Sequence, residues 1–210
     1  MTGIPLLVVA GLGIAAAFAQ DLREQKLEPS PKVELEFIAS GISRSGTTIF
    51  RLWRGLHLEG EYLGSADFDV GITGVSWKFR WKGLALSPGL AVAFGSAAQT
   101  APAVTLRWTL ETRRWYSQGF LGQSLREHVV ESHDGESPSA VRASVLDNNH
   151  LSVRLGPIEV GPIWEYIKYR DEKELKGGAR IAARLGRRFK VMFITVGPGL
   201  EFRGGIAFER

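Results

Sequence analysis

The stretch NNHLS, at 148–152, carries the side chains of this sequence best suited to covalent catalysis. His150 and Ser152 are two residues apart, so an extended strand places both on the same face. Glu159 or Glu165, in the segment that follows, would lie within reach of the histidine. A carboxylate that orients a histidine beside a serine can activate the serine hydroxyl for acyl transfer. The catalytic candidates are therefore His150, Ser152 and Glu159, with Glu165 as the alternative acid.

A polar turn is the competing interpretation of the same stretch. Asp147, Asn148 and Asn149 all favour turns, and a turn just before His150 explains the polar run without catalysis. We favour that interpretation, because the sequence contains no nucleophile elbow and no glycine-rich phosphate loop.

The other histidines indicate no metal centre. His128 and His133 lie in an acidic stretch with Glu131, Asp134 and Glu136, but a solvated loop accounts for them because no histidine pair has the spacing of a helical metal site. The 26 basic and 22 acidic residues are mixed along the chain, without the basic stripe of a nucleic-acid-binding protein. We expect no cofactor, no metal and no nucleic-acid partner.

The elements that must position these residues are β-strands, because apolar and polar residues alternate along most of the chain. In KVELEFIAS, for example, Val33, Leu35 and Phe37 point one way, while Glu34 and Glu36 point the other. The 25 glycines against two methionines also favour strands and tight turns over helices. The pattern predicts ten strands, at 32–41, 47–64, 66–81, 84–95, 101–113, 115–129, 140–155, 158–170, 174–186 and 188–208.

The two faces of these strands favour a barrel in lipid over a soluble sandwich. The polar face is often charged in mid-strand, whereas the apolar face has aromatic residues such as Tyr62, Trp77, Trp81 and Trp115 near strand ends, as in a lipid-facing band with aromatic girdles. Short links join the strands, and closure removes the exposed edges of such a meander. The fold class is therefore all-β: a closed antiparallel up-and-down β-barrel of about ten strands, with eight to twelve possible.

Long predicted strands, above all 47–64 and 188–208, exceed the roughly 9 to 11 residues that cross a bilayer, so they would project beyond it or contain a turn. The predicted strand at 47–64 has Arg54 on its apolar face, so either this arginine snorkels near an interface or Arg54-Gly55 is a turn. The last predicted strand, at 188–208, places Met192 and Phe202 on one apolar ridge, unless a turn forms at 197–199. With ten strands, the longest link, REHVVESHDGESPS, would lie on the same side of the barrel as the termini.

The first residues predict export. An apolar segment ends in the small-x-small pattern Ala17-Phe18-Ala19, which indicates a signal peptide at 1–19, with a retained membrane anchor as the alternative. A polar leader at 20–31 would then precede the barrel at 32–208. The chain has no cysteine, so burial and hydrogen-bond closure must stabilise the fold without disulfides.

With a signal peptide, no cysteine, an alternating meander and a last strand that runs to Phe208, the chain resembles the small outer-membrane β-barrel proteins of bacteria. The resemblance covers 32–208 and implies residence in the outer membrane, contact with its lipid and insertion by the barrel assembly machinery. The stretches EYLGSADFDV and LGPIEVGPIWEYIKYRDEKELKGG are similar to the MltA-interacting barrel family. The His150-x-Ser152 pattern resembles that of the outer-membrane lipid A deacylases.

Three functions follow from these observations. We favour a non-enzymatic outer-membrane barrel with a structural role in the envelope or a small binding partner, because nothing outside the strand pattern indicates catalysis. The second is a lipid-modifying hydrolase that uses His150 and Ser152. The third is a soluble periplasmic barrel that holds a lipophilic ligand, which requires the apolar face to point inward.

If the apolar faces point outward, charges of both signs line the interior. Such a balance suits cross-strand pairing and predicts a lumen closed by side chains, because barrels of about eight to ten strands have little interior beyond what side chains fill. The predicted interior charges are Glu34, Glu36, Arg51, Glu59, Glu61, Arg107, Glu111, Arg142, Arg154, Lys176, Arg180, Arg184, Glu201 and Arg203.

Overall fold

The computed structural model describes residues 32–65, 69–95, 100–126, 128–130, 139–141, 144–169, 172–186, 188–197 and 200–210. The predicted signal peptide, the leader and Arg142 lie outside these residues, as do His133, Glu131, Asp134 and Glu136. Among the described residues, no helix is long and apolar enough to cross a membrane. The strands are β1 (Val33–Ala39), β2 (Ser43–Trp53), β3 (Leu56–Ser65), β4 (Asp69–Trp77), β5 (Phe79–Trp81), β6 (Leu84–Phe94), β7 (Ala101–Glu111), β8 (Trp115–Ser124), β9 (His128–Val130), β10 (Ser139–Val141), β11 (Ser144–Leu155), β12 (Ile158–Tyr169), β13 (Glu172–Leu185), β14 (Phe189–Val196) and β15 (Glu201–Glu209).

Twelve of these strands form one closed antiparallel barrel. Strands that follow each other around the wall are hydrogen-bonded, with β4 paired to β6 and β8 to β11, and β1 pairs with β15 to complete the circle. The short strand β5 pairs only with β6 in the described sheet, and β9 and β10 form a separate two-stranded sheet. The predicted closed antiparallel barrel is confirmed.

The strand number is twelve and not ten, because the predicted strands at 47–64 and 188–208 are each a hairpin. β2 ends at Trp53, and Arg54 turns the chain with a φ of 34°. β14 ends at Val196, and a turn that includes Gly197 (φ 77°) and Leu200 (φ 50°) leads into β15. The alternative turns considered for both segments are therefore correct, and Arg54 does not lie on the apolar face of a continuous strand.

The additional hairpins also change which end of the barrel carries the long link. The turns at 54–55, 82–83, 112–114 and 156–157 lie at the end where β1 starts and β15 finishes, which we call the turn end. β13 ends and β14 begins at the same end. The link from β8 to β11 leaves from the opposite end, which we call the loop end. The expectation that it shares a side with the termini is wrong. Short turns at one end and longer loops at the other are typical of outer-membrane barrels.

The outer face of the barrel is apolar. Phe193 is 68% exposed and Phe202 is 73% exposed, although both lie within strands. Side chains of this size and exposure lie on most strands of the wall, which is the composition of a lipid-facing band. Further examples are Leu35, Phe37, Phe50, Leu52, Leu58, Val75, Leu86, Leu90, Val92, Val104, Val160, Ile181 and Ile206. The apolar face of the strands therefore does not point inward, as a soluble barrel for a lipophilic ligand would require.

The single apolar ridge expected from Met192 to Phe202 does not exist. Residues directly opposite each other on paired strands share a face, and Ile194 is opposite Arg203 while Thr195 is opposite Phe202. Met192 and Ile194 therefore point into the lumen, where they are 0% and 1% exposed, whereas Phe202 points outward. Because of the hairpin, even-numbered residues point into the lumen in β14 but outward in β15.

A β-bulge in β11 has the same effect: odd-numbered residues point inward before it, and even-numbered residues point inward after it. Asp147 is opposite Phe120 of β8, but the next pair joins His150 to Gln118, so β11 contains one extra residue. Val145 is consequently buried inside the barrel, although strict alternation with the residues after the bulge predicts it outside. The predicted polar turn before His150 is wrong, because these residues lie within β11.

Candidate functional site

Four cations surround one carboxylate in the lumen near the turn end. The Oε1 atom of Glu159 lies 3.2 Å from Arg154 Nε and 3.3 Å from Arg184 Nε. Its Oε2 atom lies 3.4 Å from Arg180 Nη1 and 3.3 Å from Lys190 Nζ. The side chains of Glu159 and Arg180 are each 1% exposed. Glu159 thus ties β11, β13 and β14 to its own strand, β12.

Glu111 and Tyr116 extend this group, which we call the Glu159 cluster, toward β7 and β8. Glu111 Oε1 accepts a hydrogen bond from Arg154 Nη2 at 2.7 Å and lies 3.6 Å from Arg184 Nη2. The Tyr116 ring centroid lies 5.0 Å from Arg154 Cζ and 4.4 Å from Lys190 Nζ. The aromatic ring and the second carboxylate both stabilise the positive charge of the four cations, which lie close together in the lumen.

A second group of charges links β3 to β7. Arg107 Nη2 donates to Glu61 Oε2 at 2.7 Å, and Arg107 Nε donates to Glu59 Oε2 at 3.3 Å. Thr47 Oγ1 on β2 donates to Glu61 at 2.9 Å. The Arg107 guanidinium also lies 4.9 Å from the ring centroid of Phe120 on β8. All of these groups are buried, so the charges are held by partners and not by bulk water.

A third group lies closer to the loop end. Arg203 Nη1 donates to Glu165 Oε1 at 2.6 Å, and Arg203 Nη2 donates to Glu201 Oε2 at 3.0 Å. The Ser40 and Ser43 hydroxyls in turn donate to Glu201 Oε1. This group joins β12, β15 and the first hairpin of the barrel.

Apolar side chains fill much of the rest of the lumen. One buried cluster reaches from β3 through β8 to β12, and the other lies along β12 to β15 and β1. Between Glu59, Glu61, Thr105 and Phe120, a cavity of about 10 Å³ remains, which is about the space of one water molecule. The clusters comprise Leu63, Val70, Ile72, Ala93, Ala103, Phe120, Val145 and Ile167, and Ile38, Ile163, Ala182, Met192, Ile194, Val196 and Ala207.

The remaining predicted interior charges occupy several positions. Glu36 is buried on the inner face, and Glu34 and Arg51 are half-buried there. Lys176 lies near the loop end, with its Nζ 3.1 Å from Glu174. Sequence reasoning missed Lys190, although its alternation with Phe189 and Val191 could have identified it.

Two further polar groups of the lumen were also missed. Tyr116 alternates with Trp115 and Ser117, but aromatic residues were assigned to girdles, so its inward position was not expected. Asp147 is 1% exposed and was assigned to a turn, and only the bulge in β11 brings it into the lumen.

The catalytic candidates His150 and Ser152 are buried inside the barrel. His150 and Ser152 are both 0% exposed on the inner face, with the His150 ring 5.4 Å from that of Tyr116. Among the described residues, Ser152 Oγ has no hydrogen-bond partner. Glu159 is held by four cations, and Glu165 is held by Arg203. His150 and Ser152 therefore lie within a packed interior in which the neighbouring charges are paired.

Comparisons with known proteins identify the fold. No protein-family model matches the chain, and no curated protein matches its sequence. Among solved structures, it is similar to the KdgM porin (TM-score 0.56, 11% identity) and to the KdgM porin in complex with disordered oligogalacturonate (TM-score 0.55, 11% identity). It is also similar to the NanC porin (TM-score 0.51, 8% identity). Each match covers 85% of this chain and 98% of the other. The chain therefore has the fold of bacterial outer-membrane β-barrels.

Proposed function

We propose that this protein is a non-enzymatic barrel of the bacterial outer membrane whose lumen is closed, with a structural role in the envelope or a small binding partner. The observation that carries the proposal is the burial of side chains that point into the lumen. Arg180, Met192, Ile194 and His150 are each at most 1% exposed. A side chain that lines an aqueous channel is in contact with water, and these are not.

Contacts between strands that are not adjacent in the wall support a closed interior. Arg107 of β7 reaches Glu61 of β3, and Ile72 of β4 lies against the position where Gly122 of β8 has no side chain. Such contacts cross the lumen and occupy the space through which a solute would pass. A twelve-stranded barrel falls between barrels of about eight strands, which side chains fill, and those of about sixteen, which hold aqueous channels. Its side chains therefore decide whether it conducts.

The outer face supports the membrane location. Apolar side chains cover the wall, and exposed tryptophans such as Trp53 and Trp81 lie at the turn end, where a girdle meets the interface. Export through the predicted signal peptide at 1–19, insertion by the barrel assembly machinery and contact with outer-membrane lipid complete the proposal. A closed barrel leaves its loops, its rims and its lipid-facing wall for contact with partners.

Planar-bilayer recordings of the purified protein test this function directly. We expect no steady channels from the unaltered protein, which should also fractionate with outer membranes and migrate differently on gels before and after boiling. The triple variant Arg180→Ala/Met192→Ala/Ile194→Ala serves as the positive control, because it removes three lumen-filling side chains and should produce measurable conductance. Reproducible, ion-selective conductance of the unaltered protein, in the range of hundreds of picosiemens, would overturn the closed-lumen proposal.

A further inference from the structure

Two hairpin turns at the turn end share a sequence and a backbone conformation. Trp53-Arg54-Gly55 joins β2 to β3, and Trp81-Lys82-Gly83 joins β5 to β6; a leucine follows each. The cationic residue has a positive φ in both turns, 34° for Arg54 and 50° for Lys82. Positive φ values are uncommon for residues other than glycine, so the two turns share a specific local geometry.

In each turn the cation lies over the indole ring of the preceding tryptophan. Arg54 Cζ is 5.4 Å from the ring centroid of Trp53, and Lys82 Nζ is 5.1 Å from that of Trp81. Both rings remain largely uncovered, at 60% and 65% exposure. Among the described residues, neither Arg54 nor Lys82 has an acidic partner within ion-pair distance. Each turn thus presents an exposed indole and a cation with unused hydrogen-bond donors.

Other turns at the same end repeat the combination of a cation and an aromatic side chain. Arg114 precedes Trp115 in the link from β7 to β8, and Arg188 precedes Phe189 in the link from β13 to β14. Both cations are exposed. The described acidic residues nearest to this end, Glu34, Glu111 and Glu209, alternate with the outward-facing apolar residues of their strands and so face inward. The outer rim of the turn end is therefore basic.

We propose that this aromatic and basic collar, formed by Trp53, Arg54, Trp81, Lys82, Arg114 and Arg188, binds the phosphate groups of anionic phospholipids in the leaflet at the turn end. The proposal rests on the membrane location proposed above. Indole rings take positions at the boundary between the hydrocarbon core and the headgroups, and a cation on the ring then lies at the depth of the phosphate. Arginine and lysine donate charge-assisted hydrogen bonds to phosphate oxygens. Anionic lipid also adds a surface potential that attracts basic residues.

The placement of the collar identifies lipid as the occupant. Its rings continue the apolar outer wall without a break, since Leu52 and Phe79 beside them are 56% and 57% exposed. Cations occur in the links after β2, β5, β7 and β13, although the turn at 156–157 has none. They are spread along the rim and are not gathered into one patch that a single protein would cover. A ring of cations directly below an apolar band matches the layered chemistry of a phospholipid leaflet.

Native mass spectrometry tests the collar. The protein is released from micelles that contain equal amounts of phosphatidylglycerol and phosphatidylcholine, and the lipids that remain bound are counted. Arg54→Gln/Lys82→Gln removes the two ring-bound cations. The matched control is Arg44→Gln/Lys173→Gln at the loop end, where Arg44 Cζ lies 5.7 Å from the ring centroid of Tyr62 and so makes the same type of contact.

We expect the unaltered protein to retain phosphatidylglycerol in preference to phosphatidylcholine. The collar variant should lose this preference by at least about fivefold, and the loop-end control should keep it to within about twofold. An undiminished preference in the collar variant, or an equal loss in the control, would overturn the proposal. Planar-bilayer recordings on the same preparations separate the two hypotheses, since a conducting protein refutes the closed lumen whatever lipid it binds.

Discussion

Arg107 Nη2 lies 2.7 Å from Glu61 Oε2, although their strands β7 and β3 are separated in the barrel wall by β4 and β6. This ion pair therefore crosses part of the lumen. The side chains of Arg107 and Glu61 are 6% and 3% exposed, so the pair is almost completely shielded from water. Arg107 also bonds Glu59, so one cation compensates two buried carboxylates.

Replacing Arg107 with leucine should strongly destabilise the barrel. The substitution leaves Glu59 and Glu61 without their cation, and breaking a buried pair from one side costs about 3–5 kcal/mol. Folded and unfolded barrels migrate differently on gels, and this difference measures the folded fraction. We expect a large drop in the urea concentration or temperature at which half of the protein is unfolded. Arg44→Leu is the control, because Arg44 is exposed at the rim and its loss should cost at most about 1 kcal/mol. Equal stabilities of the two variants would show that the buried ion pair contributes nothing to the barrel.

Two adjacent glycines of β13 should respond in opposite ways to alanine. A Cβ on Gly178 would collide with the backbone carbonyl of Thr195, whereas a Cβ on Gly177 would meet nothing within 4 Å. Gly178→Ala should therefore destabilise the barrel by about 1–3 kcal/mol or prevent its assembly. Gly177→Ala should be neutral or stabilise the barrel by up to about 1 kcal/mol, because alanine makes the unfolded chain less flexible than glycine does. Folding yield and urea midpoints measure both, and a tolerated Gly178→Ala would argue against the close approach of β13 and β14.

An arginine on the lipid-facing wall should be costly. Phe193 lies in the middle of β14 and is 68% exposed, so Phe193→Arg places a charge in the hydrocarbon at a cost of about 2–4 kcal/mol. Leu200→Arg is the control, because Leu200 is 61% exposed in a turn at the loop end, beyond the strands. The measurement compares the fraction of each variant that refolds into lipid vesicles. If Phe193→Arg refolds as well as the control, the wall around Phe193 does not face lipid.

Ser152→Ala should leave the barrel as stable as before or slightly more so. The Ser152 hydroxyl is buried without a hydrogen-bond partner among the described residues, and an unsatisfied buried polar group costs about 1–3 kcal/mol. We also expect no release of fatty acid from phospholipid or lipopolysaccharide by either protein. Ester hydrolysis that disappears in Ser152→Ala would support the hydrolase function instead.

Local alternation in the sequence determined the fold class and the outer face of this protein. Leu35 and Phe37 were assigned to the lipid-facing side from the period-two pattern of their strand, and they are 40% and 53% exposed in the barrel. The pattern is sufficient because every side chain of a paired strand must point to one face or the other. The fold class, an all-β closed barrel, followed from the same rule.

The tertiary structure decided the strand number and the positions at which the inward-pointing residues change between odd and even numbers. A turn leaves little trace in alternation, since Arg54 and the residues around Gly197 fit a continuous strand nearly as well as a hairpin. Only the register of β14 with β15 shows that Ile194 shares a face with Arg203, and only the bulge in β11 shows that Val145 points inward.

The partners of the charged residues also depend on closure. Inward positions for Arg154 and Glu159 follow from alternation, but the set of four cations around Glu159 does not. Those cations come from three strands that meet only when the sheet curves into a barrel, and which strands are then near one another depends on the strand number and stagger. A one-dimensional pattern specifies the face of each residue, whereas the distance between residues on different strands is set by how the whole sheet closes.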